Sequence, residues 1–210
     1  MIKKNIKLLF VTSIVILLPI LVGAVLWNKL PEKLPVHWDA SGTPDGYSSK
    51  PFAVLAMPMI LLALHWFCAL IVSADPKNKN TSGKMVHLTF WIVPAVSLLA
   101  ASLTYPSALG VAVPVEVIAP VFVGLIFVIV GNYLPKCRYS YTVGIKLPWT
   151  LNNEENWAKT HRLAGKVWTL GGLAVTVTGF FELFPVMIAV ILVMVLVPSV
   201  YSYILHRRGL

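Results

Sequence analysis

Charged residues are scarce in this 210-residue sequence. Asp, Glu, Lys and Arg make up only 12% of it, whereas a soluble domain has about 25%. Apolar types make up 58% and the mean hydropathy is +0.80, so there is not enough polar surface to cover a soluble globule. The net charge of +9 does not point to nucleic-acid binding, because that function needs basic residues gathered on one soluble face. The composition indicates an integral membrane protein in contact with the lipid bilayer.

Catalytic motifs are also absent. The sequence has no His-Glu-x-x-His, no Gly-x-Ser-x-Gly and no Gly-x-x-x-x-Gly-Lys-Ser/Thr, so we predict neither an enzyme nor a cofactor. There are two cysteines: Cys68 lies in an apolar run and Cys137 in a basic loop. We expect both to be free thiols that serve packing.

Long apolar runs are abundant. A helix needs about 20 mostly apolar residues to cross a bilayer. The first run is too long for the h-region of a signal peptide, and we interpret it as an uncleaved span. Six stretches qualify in all, and they predict an all-α integral membrane protein with a six-helix bundle: Ile6–Trp27, Phe52–Ser73, Val86–Tyr105, Val113–Tyr133, Lys166–Phe181 and Phe184–Leu205.

The positive-inside rule predicts the orientation of these spans. With both termini in the cytoplasm (N-in/C-in), 14 of the 17 Lys and Arg residues fall on inner segments, and the opposite orientation would reverse that ratio. The inner residues are Lys3, Lys4, Lys7, Lys77, Lys79, Lys84, Lys136, Arg138, Lys146, Lys159, Arg162, Lys166, Arg207 and Arg208. We expect a multi-pass protein of the bacterial plasma membrane.

Two membrane domains are predicted, each with one long loop. Residues 1–105 would hold helices 1–3 and an outer loop over 28–50. Residues 106–210 would hold helices 4–6 and a basic inner loop over 134–165.

The outer loop is expected to be compact. An extended piece, Pro35–Trp38, precedes Pro44-Asp45-Gly46, which is typical of a β-turn. Oxygen side chains alternate from Asp39 to Asp45, but a calcium loop starting at Asp39 would need Gly and Glu where Pro44 and Lys50 stand. His37 with Asp39 is too little for zinc. We predict no metal, and leave open a folded turn or a surface that contacts a ligand through His37, Trp38, Asp39 and Asp45.

The inner loop leads into the fifth span. Pro148 stops any helix before it, and Asn152 is predicted to cap a new helix with Glu155 reaching back in a capping box. Glu155 and Lys159 form an i, i+4 pair in the favourable order. This helix is expected to run without a break into the membrane.

One face of that helix carries bulky groups and glycines in alternation. Trp157, His161, Gly165, Trp168 and Gly172 follow spacings of three and four residues. The glycines predict close approach of a neighbouring helix. Two interpretations stay open: an interfacial helix packed on the bundle, or a site at the inner membrane surface with His161, which titrates near neutral pH.

His65 is the intramembrane candidate. A titratable group within a span is a functional candidate, but no Asp, Glu, Lys or Arg lies deep within another span to relay protons. A hydrogen-bonded packing histidine and a proton-coupled role are the two alternatives.

Both loops resemble a known family. Pro148-Trp149-Thr150-Leu151, Glu154-Glu155, Trp157 and Thr160–Leu163 are similar to the signature of SdpI-type bacterial immunity proteins. The outer Pro35–Trp38, with Gly42, Asp45 and Gly46 after it, resembles the N-terminal domain of unknown function that often precedes that signature. Positions that match the signature or flank it are Asn132, Gly144, Trp149, Thr150, Glu155, Trp157, Thr160, His161 and Gly165.

The resemblance implies protection of a toxin-producing bacterium from its own secreted peptide toxin. In our hypothesis, Trp149 and Trp157 anchor the inner loop at the headgroups, Glu155 caps the helix, and His161 hydrogen-bonds the loop. Immunity by binding the toxin stands beside two other hypotheses. One is a scaffold or signalling protein that recruits an acidic cytosolic partner such as a regulator, which is compatible with immunity, and the other is a small transporter or exporter.

Overall fold

Long runs of Leu, Ile and Val form helices because a backbone in lipid must satisfy its hydrogen bonds internally. The computed structural model describes residues 2–76 and 83–210, with side chains from 5–76 and 85–210. Lys77 and Lys79 of the predicted inner loop lie outside these residues, as do the side chains of Lys3, Lys4 and Lys84. Within the described part the helices are α1 Ile2–Val25, α2 Met57–Ala74, α3 Gly83–Ala108, α4 Val115–Tyr133, α5 Glu154–Phe180 and α6 Phe184–Arg207.

The prediction of six spans is confirmed. All six helices are long and apolar enough to cross a membrane. A π-helical turn, Phe52–Ala56, leads into α2, and a 3-10 turn, Leu134–Lys136, follows α4. The fifth helix begins at Glu154, well before the predicted span at Lys166, as its capping signals and the lack of a breaker indicated.

The first compact unit comprises Met1–Ser73 and His87–Val115. Its small soluble part is an antiparallel hairpin of β1 Lys33–Trp38 and β2 Pro44–Ser49. A core of Leu30, Leu34, Ala53, Val54 and Tyr105 packs beneath the hairpin and joins it to the helices. The hairpin is therefore fixed to the membrane helices of its own unit by buried apolar contacts.

The second unit comprises Ala74–Val86 and Glu116–Leu210. Its α5 and α6 are joined by three residues and form the tight antiparallel pair expected from the sequence; the connecting Glu182 takes a left-handed φ of 57°. Val175, Met187 and Met194 form the core between these two helices. This unit carries the segment 134–165, called the signature segment below.

Helices α4 and α5 approach at glycines, as the alternating face predicted. A Cβ added at Gly172 would lie 2.6 Å from the Val128 nitrogen and 2.7 Å from the Gly124 oxygen, and one at Gly165 would lie 2.9 Å from the Gly131 oxygen. Contacts this short with backbone atoms exclude any side chain. Glycine is thus required at both positions for the two backbones to meet.

Candidate functional site

The hairpin turns at Asp39–Thr43, not at Pro44-Asp45-Gly46 as predicted. The Asp39 carboxylate accepts hydrogen bonds from the Ser41 and Thr43 backbone N–H groups, each at 2.9 Å, and from the Ser41 hydroxyl at 2.7 Å. Gly42 supplies a positive φ of 76°. Because this side chain closes the reversal locally, Pro44 becomes the first residue of β2, a position that proline tolerates.

Two of the polar candidates of this hairpin pair with each other. His37 Nδ1 lies 2.5 Å from Asp45 Oδ1 across the strands, and both side chains are exposed. The hydrogen bonds from Ser41 and Thr43 lower the pKa of the Asp39 carboxyl. Trp38 is half-buried beside them. No group of three or more His, Cys, Asp or Glu side chains in the described residues could hold a metal ion.

His65 is buried within the first unit. Its Nε2 lies 2.9 Å from Thr12 Oγ1, and its ring packs edge-on against Phe90 with centroids 5.9 Å apart. The Thr12 hydroxyl also lies 2.9 Å from the Leu8 carbonyl oxygen of its own helix. These contacts favour the packing interpretation over a proton-coupled role.

Asp75 organises the start of the signature segment. One carboxylate oxygen, Oδ2, accepts four hydrogen bonds: from the Ser140 hydroxyl at 2.6 Å, the Tyr141 N–H at 2.9 Å, the Thr142 N–H at 3.0 Å and the Thr142 hydroxyl at 2.9 Å. Asp75 is buried. A single carboxylate thus folds residues 140–142 into a tight turn around itself.

His161 holds the next stretch of the loop on α5. Its Nδ1 donates to the Trp157 carbonyl oxygen at 2.8 Å, and its Nε2 accepts the Ile145 N–H at 2.9 Å. The Trp157 carbonyl oxygen can only accept a hydrogen bond and the Ile145 N–H can only donate one, so one ring nitrogen carries a proton and the other does not. The His161 ring is therefore neutral. The predicted hydrogen bond between His161 and the loop is present, with the loop N–H as donor, and the ring holds the loop in a single protonation state.

Gly144 closes over that histidine. Its φ is 129°, and an added Cβ would lie 2.5 Å from His161 Nε2 and 2.6 Å from the Trp157 ring. The Trp157 and His161 rings stack with centroids 4.0 Å apart. The loop backbone therefore lies directly on the stacked pair, and only glycine fits there.

The predicted headgroup anchor at Trp157 is wrong. Its side chain is only 2% exposed, and its Nε1 donates to the Cys137 carbonyl oxygen at 3.0 Å. The indole ring is large enough to fill the space under the loop. Because it is buried there, it does not contact the lipid headgroups. Trp149 is half-buried instead, stacked on the His206 ring at 5.9 Å and edge-on to Tyr203 at 5.4 Å.

The predicted cap of α5 is wrong by one residue. Asn153, not Asn152, accepts the Glu155 and Asn156 N–H groups, each at 2.9 Å. The Glu155 carboxylate does not close a capping box: it pairs with Lys159 at 2.8 Å, the i, i+4 pair that the sequence predicted. Asn153 caps because its extended backbone places its side chain over the first free N–H groups.

Two buried polar groups complete the segment. The Thr150 hydroxyl accepts the Leu147 N–H and donates to the Ile145 carbonyl oxygen, both at 2.9 Å. Asn156 donates to the carbonyl oxygens of Ser202 and Leu210 and accepts the hydroxyls of Thr160 and Ser202, at 2.7 to 3.2 Å. Asn156 thereby joins α5 to the end of α6.

Most of the sequence candidates in this segment converge. Gly144, Thr150, Trp157, Thr160, His161 and Gly165 all belong to the docked loop or its seat, whereas Asn132 is exposed on α4. The sequence analysis did not identify Asp75 or Asn156 as candidate residues. Asp75 carried one signal: it is an isolated acid directly before a proline at the end of a span. A carboxylate without a hydrogen-bond partner is not expected at such a position.

Each unit also has a concave surface. In the first, an apolar groove of about 490 Å³ runs between α1 and α3 and is lined by Leu18, Val22, Leu26, Leu98, Ser102 and Leu109, among others. In the second, a polar cavity of about 770 Å³ opens between the residues after α4 and the start of α5.

Comparison with known proteins agrees with the resemblance seen in the two loops. Residues 14–62 match the family model of a domain of unknown function, DUF1648. Residues 136–202 match the SdpI/YfhL protein family. The chain is 27% identical to the Immunity protein SdpI of Bacillus subtilis (strain 168), an alignment that covers 98% of this chain and 97% of that protein. No solved structure matches.

Proposed function

We propose that this chain, an SdpI-type membrane protein by its sequence, protects a bacterium from a membrane-active peptide toxin. The observation that carries the proposal is the similarity to an immunity protein along 98% of the chain. The alignment includes both loops and all six apolar helices, so the similarity is not confined to one segment. We place the protein in the plasma membrane with both termini in the cytoplasm, as the distribution of Lys and Arg predicts.

The apolar groove of the first unit is the surface that we assign to toxin capture. Its lining is almost entirely apolar, and an amphipathic peptide binds such a groove with its apolar face. Leu26, at the end of the groove, lies shortly before the hairpin. The exposed His37, Asp39 and Asp45 then offer polar contacts to the opposite face of the peptide. Capture in this place would keep the peptide from disrupting the bilayer.

The two alternatives receive less support. A transporter needs a polar pathway, and His65, its one intramembrane candidate, is paired with Thr12 and Phe90. A scaffold role would act through the signature segment, whose candidate side chains Trp157, Thr160 and His161 are buried within it. Immunity by binding needs none of these groups to be accessible.

Filling the groove tests the proposal in cells. Ser102 is exposed and lines the groove, so Ser102→Trp occupies it without entering the core. A toxin-sensitive bacterium that expresses the wild type should survive the secreted peptide fraction of a toxin-producing strain. Ser102→Trp should lower the protective effect at least about tenfold, the consequence of losing about 1.4 kcal/mol of binding.

Leu192→Trp is the matched control, because Leu192 is 55% exposed on α6 and lies outside the groove. Equal membrane levels of the three proteins would be checked by immunoblot. Failure of the wild type to protect would refute immunity itself. Protection by both the wild type and Ser102→Trp would refute the groove alone and leave the hairpin as the contact surface.

A further inference from the structure

The polar cavity of the second unit has a basic lining that the immunity proposal does not use. Among the described residues of its lining, Lys136 and Arg138 follow α4 and Arg162 belongs to α5, and Glu154 is the single carboxylate. His161 also lines it but is held neutral by its two hydrogen bonds. Three cations against one anion give the cavity a positive field.

The two arginines of this cavity are free to bind a ligand. Arg138 and Arg162 are both exposed, and within the described residues neither forms an ion pair with a carboxylate. The fork of an arginine side chain matches the oxygens of a phosphate and can bind it through two parallel hydrogen bonds. A phosphate is therefore the group that these side chains recognise best.

The position of the cavity indicates where that phosphate comes from. Lys136 is the last residue of the fourth apolar span, Val115–Lys136. Arg162 lies two turns into α5, one turn before Lys166, where the apolar run of that helix begins. The cavity thus opens where one span ends and the next enters, which is the depth of the lipid headgroups. Basic pockets at that depth attract anionic lipids.

We propose that this cavity binds the phosphate of an anionic phospholipid headgroup. A volume of about 770 Å³ is in the range of small-molecule sites and accommodates a single headgroup rather than a protein surface. Trp157 and His161 form a rigid wall because their rings are stacked and buried. A bound lipid would join the two sides of the cavity and stabilise the docked signature segment. The proposal does not depend on immunity.

Thermal unfolding of the full chain in a neutral detergent tests it. Dioctanoyl phosphatidylglycerol should raise the unfolding temperature, and dioctanoyl phosphatidylcholine should not. In Arg138→Gln/Arg162→Gln the phosphatidylglycerol concentration giving half the shift should rise about 25-fold, about fivefold for each basic residue removed. The matched control, Arg207→Gln/Arg208→Gln, removes two exposed cations from the end of α6 and should change it less than about twofold.

Several results would overturn the proposal. They are equal shifts with the two lipids, a wild-type response in the cavity variant, or an equal shift with inorganic phosphate, which would assign the cavity to a free ion. A larger shift with poly-glutamate would assign it to an acidic protein. Should the double variant fail to fold, Lys136→Gln alone gives a second reading, with an expected loss of about fivefold.

Discussion

Gly172→Ala is expected to destabilise the protein severely, although the change adds only one methyl group. The new Cβ would lie 2.6 Å from the Val128 nitrogen and 2.7 Å from the Gly124 oxygen, both of which are backbone atoms of α4. These atoms cannot move aside without separating the two helices. Overpacking of this kind costs about 1–3 kcal/mol and occasionally more. We expect a loss of about 2–3 kcal/mol in the free energy of unfolding, measured by denaturation in detergent.

Gly171→Ala is the matched control one residue earlier in the same helix. The three atoms nearest to its Cβ would all belong to the Met194 side chain, and methionine is flexible enough to rotate away. Alanine also gains about 1 kcal/mol of helix propensity over glycine, so the change in stability should stay within about 1 kcal/mol. Equal stability of the two variants would contradict the close approach of α4 and α5.

Asp75→Ala is expected to undock the signature segment. It removes the acceptor of four hydrogen bonds from Ser140, Tyr141 and Thr142. Hydrogen bonds to a charged group contribute about 1.5–3 kcal/mol each, and the desolvation of the carboxylate offsets much of the sum. We expect a net loss of about 3 kcal/mol. Asp75→Asn, which keeps one acceptor oxygen, should lose about half as much.

The Cys137 thiol reports on this undocking. It is 6% exposed, and burial raises its pKa to about 12, so little of the reactive thiolate exists at pH 8. In a Cys68→Ala background, maleimide labelling of Cys137 should be slow in the docked protein. Asp75→Ala lowers the pKa toward its ordinary value and should accelerate labelling at least about tenfold.

Asp45→Ala serves as the control acid, since the Asp45–His37 pair is exposed on the hairpin. Exposed ion pairs contribute about 0–1 kcal/mol, so the unfolding free energy should hardly change and Cys137 should remain slow to label. If Asp75→Ala labelled as slowly as its parent, Asp75 would not be the residue that docks the loop.

The membrane architecture could be predicted from the sequence because its signals are local. Each span is a run of apolar residues, and the α5–α6 connection is only three residues long. The Gly165 and Gly172 contacts follow from spacing along one helix. The i, i+4 pair of Glu155 and Lys159 is equally local. Such features need no knowledge of distant parts of the chain.

The docking of the signature segment could be predicted only at His161, because its other partners are distant in sequence. Asp75 bonds residues more than 60 positions away, and Asn156 bonds Ser202 and Leu210. The hairpin turn was misplaced for a local reason: two turn signals compete there, and the Asp39 side chain outweighs Pro44-Asp45-Gly46. The burial of Trp157 likewise depends on the loop folding over it.

Retention of the toxin peptide by the full chain tests the proposed capture most directly. The active peptide would be purified from the toxic fraction by its killing activity, labelled, and mixed with the full chain in nanodiscs. We predict retention well above empty nanodiscs, about tenfold weaker for Ser102→Trp and unchanged for Leu192→Trp. A chain that protects cells but retains no more peptide than empty nanodiscs would contradict capture.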